Sequence, residues 1–279
     1  MPELPEVETV KQSLKSRLLG KKIIRTRVLW DNIIAYPSKE EFVKETADKT
    51  INDIKRRGKF LMFDLEKYYL LSHLRMEGKY FFKNNSEPIL KHEHVIFDLD
   101  DGTELRYMDT RKFGKMYLIK KEDINNIGPL KDLGLEPWDE NLNNDYLIKI
   151  YKNKKLPIKS VLLDQSIIVG IGNIYADEIL FLAKINPVRP ANEISKKEAD
   201  LIIKYTREVL EKAIKKGGTT IRTYSSVDGV HGLFQSELLV HGKDKGTCPN
   251  CGSPIYKIKV GGRGTYYCPR CQTLPNKKV

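Results

Sequence analysis

The chain has 279 residues, 40% of them hydrophobic and 9% aromatic, which suits folded cores rather than a disordered tail. No run approaches the roughly 18 apolar residues of a membrane helix. The acidic, proline-rich start Met1-Pro2-Glu3-Leu4-Pro5-Glu6-Val7-Glu8 lacks the basic and apolar regions of a secretory signal. A soluble cytoplasmic protein with no membrane partner is expected. Lys and Arg total 49 against 37 acids, a net charge of +12. That balance favours a polyanionic partner, above all nucleic acid.

Residues 5–20 read as a helix. Val7, Val10, Leu14 and Leu18 share one face, Pro5 suits the first turn and Gly20 ends it. Strands follow at 23–29, 51–56, 60–65, 68–72, 80–82, 94–99, 104–108 and 116–119, separated by turn signals such as Asn84-Asn85 and Asp101-Gly102. Many short strands at this spacing predict an antiparallel sandwich. Gly128-Pro129, Gly134 and Pro137 mark a linker. Helices are then predicted near 143–152, 157–165, 174–183 and 195–216. Ser195 and Glu198 form a capping box for the last, and Gly217-Gly218 closes it. The turn Val169-Gly170-Ile171-Gly172-Asn173 joins two helices, either as a helix-turn-helix or as ordinary helical packing. Asn173 suits an N-cap, or a phosphate site beside exposed helix amides. Residues 217–237 are polar and Gly-rich and read as a mobile loop.

The four cysteines all lie near the end, as Cys248-x2-Cys251-x16-Cys268-x2-Cys271. Two close pairs at this separation suit tetrahedral zinc, and an expected cytosolic setting argues against two disulfides. Four thiolates leave no open position, so one structural Zn2+ is expected. Between the pairs, 255–260 and 265–267 read as strands around a Gly261-Gly262 turn. Arg263 sits just past that turn, placed either as a bidentate phosphate ligand or as a solvated side chain. Residues 240–279 hold eight Lys/Arg against the single acid Asp244, +7 of the +12.

Several segments, in order, resemble the formamidopyrimidine-DNA glycosylase family along essentially the whole chain. They are Met1-Pro2-Glu3-Leu4-Pro5-Glu6-Val7-Glu8-Thr9, Arg56-Arg57-Gly58-Lys59-Phe60, Ser72-His73-Leu74-Arg75-Met76-Glu77-Gly78, Asp109-Thr110-Arg111-Lys112-Phe113-Gly114, 169–178, Gly217-Gly218-Thr219-Thr220 and 262–272. The resemblance implies an α+β multidomain fold. An N-terminal antiparallel β-sandwich with a flanking helix (1–128) leads through a linker (129–137) to a helix–two-turn–helix bundle (138–237, with a lesion-capping loop at 217–237) and a zinc-ribbon hairpin (238–279). Damaged double-stranded DNA would lie in the cleft between them, and the protein would act as a monomer, nucleoid-associated when bound.

The implied activity is excision of oxidised purines followed by β- and δ-elimination. Removal of Met1 would expose the secondary amine of Pro2, and α-amino groups titrate near pH ~8, low enough to be nucleophilic at neutral pH. By resemblance Glu3 protonates the sugar ring oxygen, Lys59 serves β-elimination, and Arg263 serves δ-elimination and clamps a phosphate. A first-turn acid also favours the helix dipole; Glu6 fits that structural role. A flipped-out base leaves a hole in the stack. Met76, Arg111 and Phe113 resemble the family's filling triad, and His73, His92, Lys154 and Asn173 its other DNA contacts. His241 stands where many relatives carry tyrosine. The rivals are an endonuclease VIII-type enzyme for oxidised pyrimidines and a non-catalytic zinc-ribbon DNA-binding protein.

Overall fold

The computed structural model describes residues 1–219 and 232–275. The chain forms two compact units: Met1–Asp132 with Gly217–Leu233, and Leu133–Lys216 with Phe234–Val279.

The first unit opens with helix α1, Leu4–Leu18, which buries Leu4, Val7, Val10, Leu14 and Leu18 as the spacing predicts. It continues through β1 (Lys22–Val28), β2 (Ile34–Tyr36), α2 (Lys39–Thr46), β3 (Lys49–Thr50), β4 (Asp53–Arg57), β5 (Phe60–Leu65), β6 (Tyr68–His73), β7 (Lys79–Asn84), β8 (Glu93–Leu99), β9 (Thr103–Met108) and β10 (Lys115–Lys120). One sheet has the order β3-β1-β8-β9-β7, the other β2-β10-β6-β5-β4. Their apolar faces merge in one core, where Val95, Phe97 and Leu105 of the first sheet meet Leu61, Phe63 and Leu70 of the second.

Two elements depart from the sequence reading. β2 pairs with β10 in parallel, so the sandwich is not wholly antiparallel. Helix α2 interrupts the strands. Ser38 caps it by accepting from Glu41 N at 3.2 Å, and Phe42 and Thr46 anchor it.

The second unit holds α3 (Asn144–Tyr151), α4 (Ile158–Leu162), α5 (Asn173–Leu182) and α6 (Lys196–Lys215), then the hairpin β11 (Tyr256–Val260) and β12 (Arg263–Tyr267). The capping box of α6 forms as expected: Ser195 Oγ accepts from Glu198 N at 3.3 Å while Ser195 N donates to Glu198 Oε2 at 2.9 Å. Within the span read as a mobile loop, Thr219 bridges Leu233 and Phe234–Glu237 is a 3-10 turn with Phe234 buried. Residues 220–231, with Thr220 and Ser226-Val227-Asp228-Gly229, lie outside the described residues.

Candidate active site and nucleic-acid interface

The start of α1 is a junction. Pro2 and Glu3 are both buried, and Glu3 occupies the position before the first helical residue. An amide there has no intrahelical acceptor. Glu6 supplies one, its Oε2 accepting from Glu3 N at 2.8 Å. Its Oε1 accepts from Thr219 N at 2.7 Å and from Thr219 Oγ1 at 3.1 Å. Gly218 lies so close that a Cβ there would meet Oε1 at 2.6 Å, and its φ is +77°. Glu6 thus does more than favour the helix dipole. It fastens residues 218–219 to the amide beside Pro2, a contact no local sequence rule announces.

The turn before Lys59 is tied to the same helix. Glu8 Oε2 accepts from Arg56 Nε at 3.0 Å, and Arg56 Nη1 donates to Gly58 O at 2.9 Å. Burial opposes the Glu8 anion, yet Lys11 and Arg56 outweigh it and hold its carboxyl below the usual range. Lys59 follows Gly58 as a buried side chain at the head of β5.

His73 ends β6 opposite Phe60 and is 8% exposed. Burial first, then the positive charges of Arg75 and Lys59, push its pKa down to about 3. Its Nδ1 accepts from Arg75 N at 3.0 Å. Through the Arg75 amide it helps shape the turn into Met76.

Met76 is half-buried, whereas Arg111 and Phe113 are exposed, Phe113 to 50%. The Arg111 guanidinium stands 4.8 Å over the Phe113 ring. Asp109, fully buried, fixes their loop: Oδ1 accepts from Arg111 N at 3.0 Å, and Oδ2 from Phe113 N at 3.0 Å and Gly114 N at 2.8 Å. The carbonyl of half-buried His92 accepts from Asp109 N at 3.0 Å. An exposed phenyl beside an exposed guanidinium on an over-determined loop suits a stacked, anionic partner.

The cysteines lie in the second unit. Their four sulfurs fall within 4.8 Å of one another, with Cys248–Cys271 at 3.8 Å and Cys251–Cys268 at 3.5 Å. Tetrahedral zinc with bonds of ~2.3 Å needs sulfurs about 3.8 Å apart, and a disulfide needs ~2.05 Å. The set fits one structural zinc. The hairpin register Val260↔Arg263 leaves a two-residue turn with φ of +54° at Gly261 and +78° at Gly262. Positive φ at both positions is the type I′ requirement that glycine meets. Arg263 is the exposed first residue of β12.

Helix α5 carries the side chains that seat this hairpin. Asn173 is not the N-cap, which is Gly172; its Nδ2 donates to Gly264 O at 3.0 Å. Asp177 Oδ1 pairs with Lys159 Nζ at 2.7 Å, both fully buried. Asp177 Oδ2 accepts from His241 Nδ1 at 2.7 Å and Tyr266 N at 3.2 Å. Lys159 Nζ also donates to Thr265 Oγ1 at 2.8 Å and Gly264 O at 3.1 Å. Lys154, by contrast, is a partly exposed lysine 3.7 Å from Asp164 Oδ2. In this lysine-rich stretch it is Lys159 that reaches the interior. The signal lay in its neighbours: Ile158, Val161 and Leu162 form the buried stripe of α4.

Among the described residues no helix is long and apolar enough to cross a membrane. The chain thus combines a β-sandwich that carries a proline-led helix, helices that seat a four-cysteine hairpin, and a basic tail. Family models agree in order: the formamidopyrimidine-DNA glycosylase N-terminal domain over residues 1–116, its H2TH domain over 133–225, and the zinc finger found in FPG and IleRS over 246–274. The chain is 48% identical over 274 residues to the formamidopyrimidine-DNA glycosylase of Bacillus licheniformis, covering 98% of this chain and 99% of that one. The Bacillus subtilis enzyme is 47% identical with the same coverage. Among solved structures, Lactococcus lactis Fpg bound to DNA containing an abasic site has a TM-score of 0.91 at 41% identity. The wild-type protein with N7-benzyl-Fapy-dG DNA has 0.92 at 40%. Each covers 98% of this chain and 100% of the other. The chain belongs to the formamidopyrimidine-DNA glycosylase family.

Proposed function

We propose that this chain excises oxidised purines from duplex DNA and then nicks the resulting site. With Met1 removed, the Pro2 nitrogen attacks the sugar C1′ and the bond from C1′ to the base breaks. Glu3 delivers a proton to the ring oxygen as the sugar opens, leaving an iminium between Pro2 and C1′. The iminium acidifies C2′. Loss of that proton expels the 3′ phosphate, with Lys59 contacting phosphate and assisting, and Arg263 assists loss of the 5′ phosphate. Met76 and Phe113 fill the gap left by the flipped nucleotide, and Arg111 donates to the orphaned base. His92, Lys154 and Asn173 hold the backbone. His73 acts through the Arg75 turn. The zinc holds the hairpin that presents Arg263 and supplies no step of the chemistry.

The observation that carries this reading is the junction at the chain start. Glu6 anchors the amide next to Pro2, Glu8 of the same helix holds Arg56 and through it the Gly58 carbonyl that precedes Lys59, and the Gly218–Thr219 segment is drawn to the Glu6 carboxylate. Borohydride should trap a covalent complex on 8-oxoguanine duplex and only weakly on thymine glycol duplex. Pro2→Gly, or an uncleaved N-terminal tag, should abolish trapping while measurable DNA binding persists. Trapping that survives either change assigns the nucleophile elsewhere.

A further inference from the structure

We propose that Tyr107, through its phenol oxygen, is the positioning residue that sets the spacing between the Met76 loop and the Arg111–Phe113 loop. The inference rests on the gap-filling role given to those loops above.

The two loops leave the sheets separately, one after β6 and one after β9, and a wedge made of both works only if they are in register. Neither is shaped by ordinary backbone alone. Arg75 has φ +53° and Lys112 has φ +58°, left-handed conformations that are uphill for residues with a Cβ. Such conformations persist where the surroundings over-determine them.

Tyr107 is where the surroundings of both loops meet. Built onto Gly78, a Cβ would lie 2.1 Å from the Tyr107 hydroxyl oxygen; built onto Gly114, 1.9 Å. One oxygen atom therefore touches the backbone that follows Met76 and the backbone that follows Phe113. Both glycines are required by that approach. The ring cannot retreat, because it is fully buried and packs edge-on against Tyr80 at 5.1 Å. Tyr80 is held in turn by its hydroxyl on Ser72 Oγ at 2.8 Å and by Phe63 at 5.8 Å. Strand pairing adds a second constraint, with Tyr107 opposite Tyr80 on one side and Val95 on the other.

Two further ties act on the loops themselves. Thr110 Oγ1 donates to Glu77 Oε2 from one loop to the other, and Asp109 gathers the amides of its own loop. The aromatic column thus ends in a hydroxyl spacer, with the wedge residues on either side of it. Catalytic geometry tolerates errors of only about 0.5 Å. Removing an oxygen that lies against both backbones opens a gap larger than that tolerance.

Tyr107→Phe keeps the column and removes only the spacer. The assay compares single-turnover excision of 8-oxoguanine in a fully paired duplex and in a bubble whose flanking bases are already unpaired, where no stack must be wedged open. The expected result is a duplex rate lowered about tenfold or more and a bubble rate within about twofold of wild type. Because the result is a ratio, a smaller fraction of active protein does not imitate it. A parallel loss on both substrates, or no loss on either, overturns the inference and leaves Tyr107 a packing residue. Phe113→Ala is run alongside. If it too leaves the duplex-to-bubble ratio at the wild-type value, the wedge reading fails and takes the inference with it. If Phe113→Ala shifts the ratio and Tyr107→Phe does not, only the inference falls.

Discussion

Replacing Lys159 by methionine removes one charge from a pair buried to 0% exposure on both sides while keeping the length and most of the volume of the side chain. At 2.7 Å and an effective dielectric of about 20, the gross attraction is of order 6 kcal/mol. Losing the desolvation penalty of the ammonium offsets part of it. Breaking one partner of such a pair commonly costs about 3–5 kcal/mol, because the remaining carboxylate stays buried. Thr265 Oγ1 and Gly264 O lose their donor as well, although Asp177 keeps His241 and Tyr266 N. In a unit of about 130 residues this corresponds to a midpoint lowered by roughly 10–18 °C. Calorimetry with urea titration measures it. Adding Asp177→Asn to the methionine variant should recover part of the loss, since the uncompensated charge is then gone. A Lys159→Met protein within about 1 kcal/mol of wild type would refute the claim that this pair seats the hairpin.

Two further outcomes are expected. His73 is neutral in the fold with a pKa pushed to about 3, whereas an unfolded histidine titrates near pH ~6.5. Between these values the unfolded chain binds the extra proton, so stability falls as pH falls from about 6.5 towards 3, by up to roughly 1.4 kcal/mol per pH unit. His73→Asn, which can still accept from Arg75 N, should flatten that slope in urea titrations at pH 6.5 and 5; an unchanged slope would contradict the assignment. Chelating the zinc should release the hairpin, weaken DNA binding and reduce the salt slope of log K by about one phosphate contact. Equal affinity and slope after chelation would show that Arg263 does not bind phosphate from this platform.

How much of this was legible in the sequence depended on whether the cause was local. The apolar stripe of α1, the Ser195–Glu198 box and the cysteine spacing are written in neighbouring residues, and each appears where the pattern put it. Helix α2 was equally local, with Ser38 ahead of Glu41 at capping distance, but a run of strands on both sides obscured it. The three residues of β2 are too few to show a period. Side-chain partners were the least legible. Nothing near Glu6 points to Thr219, 213 positions away. Nothing in a lysine-rich run separates Lys159 from Lys154 except the apolar company on α4. Asn173 reads as a cap from its place at a helix start, yet Gly172 caps and the amide serves a strand 91 residues later.

The first compact unit is discontinuous: Met1–Asp132 is joined by Gly217–Leu233 only after the chain has passed through α3 to α6. During synthesis at about 5–20 residues per second, the proline-led helix therefore emerges many seconds before Thr219 can reach Glu6. Its seat is incomplete while the ribosome is still making the helical unit. A nascent or truncated chain stopping short of residue 217 would carry Pro2 and Glu3 on a helix whose Glu6 still lacks Thr219, so the first unit closes only after the helical unit has been made.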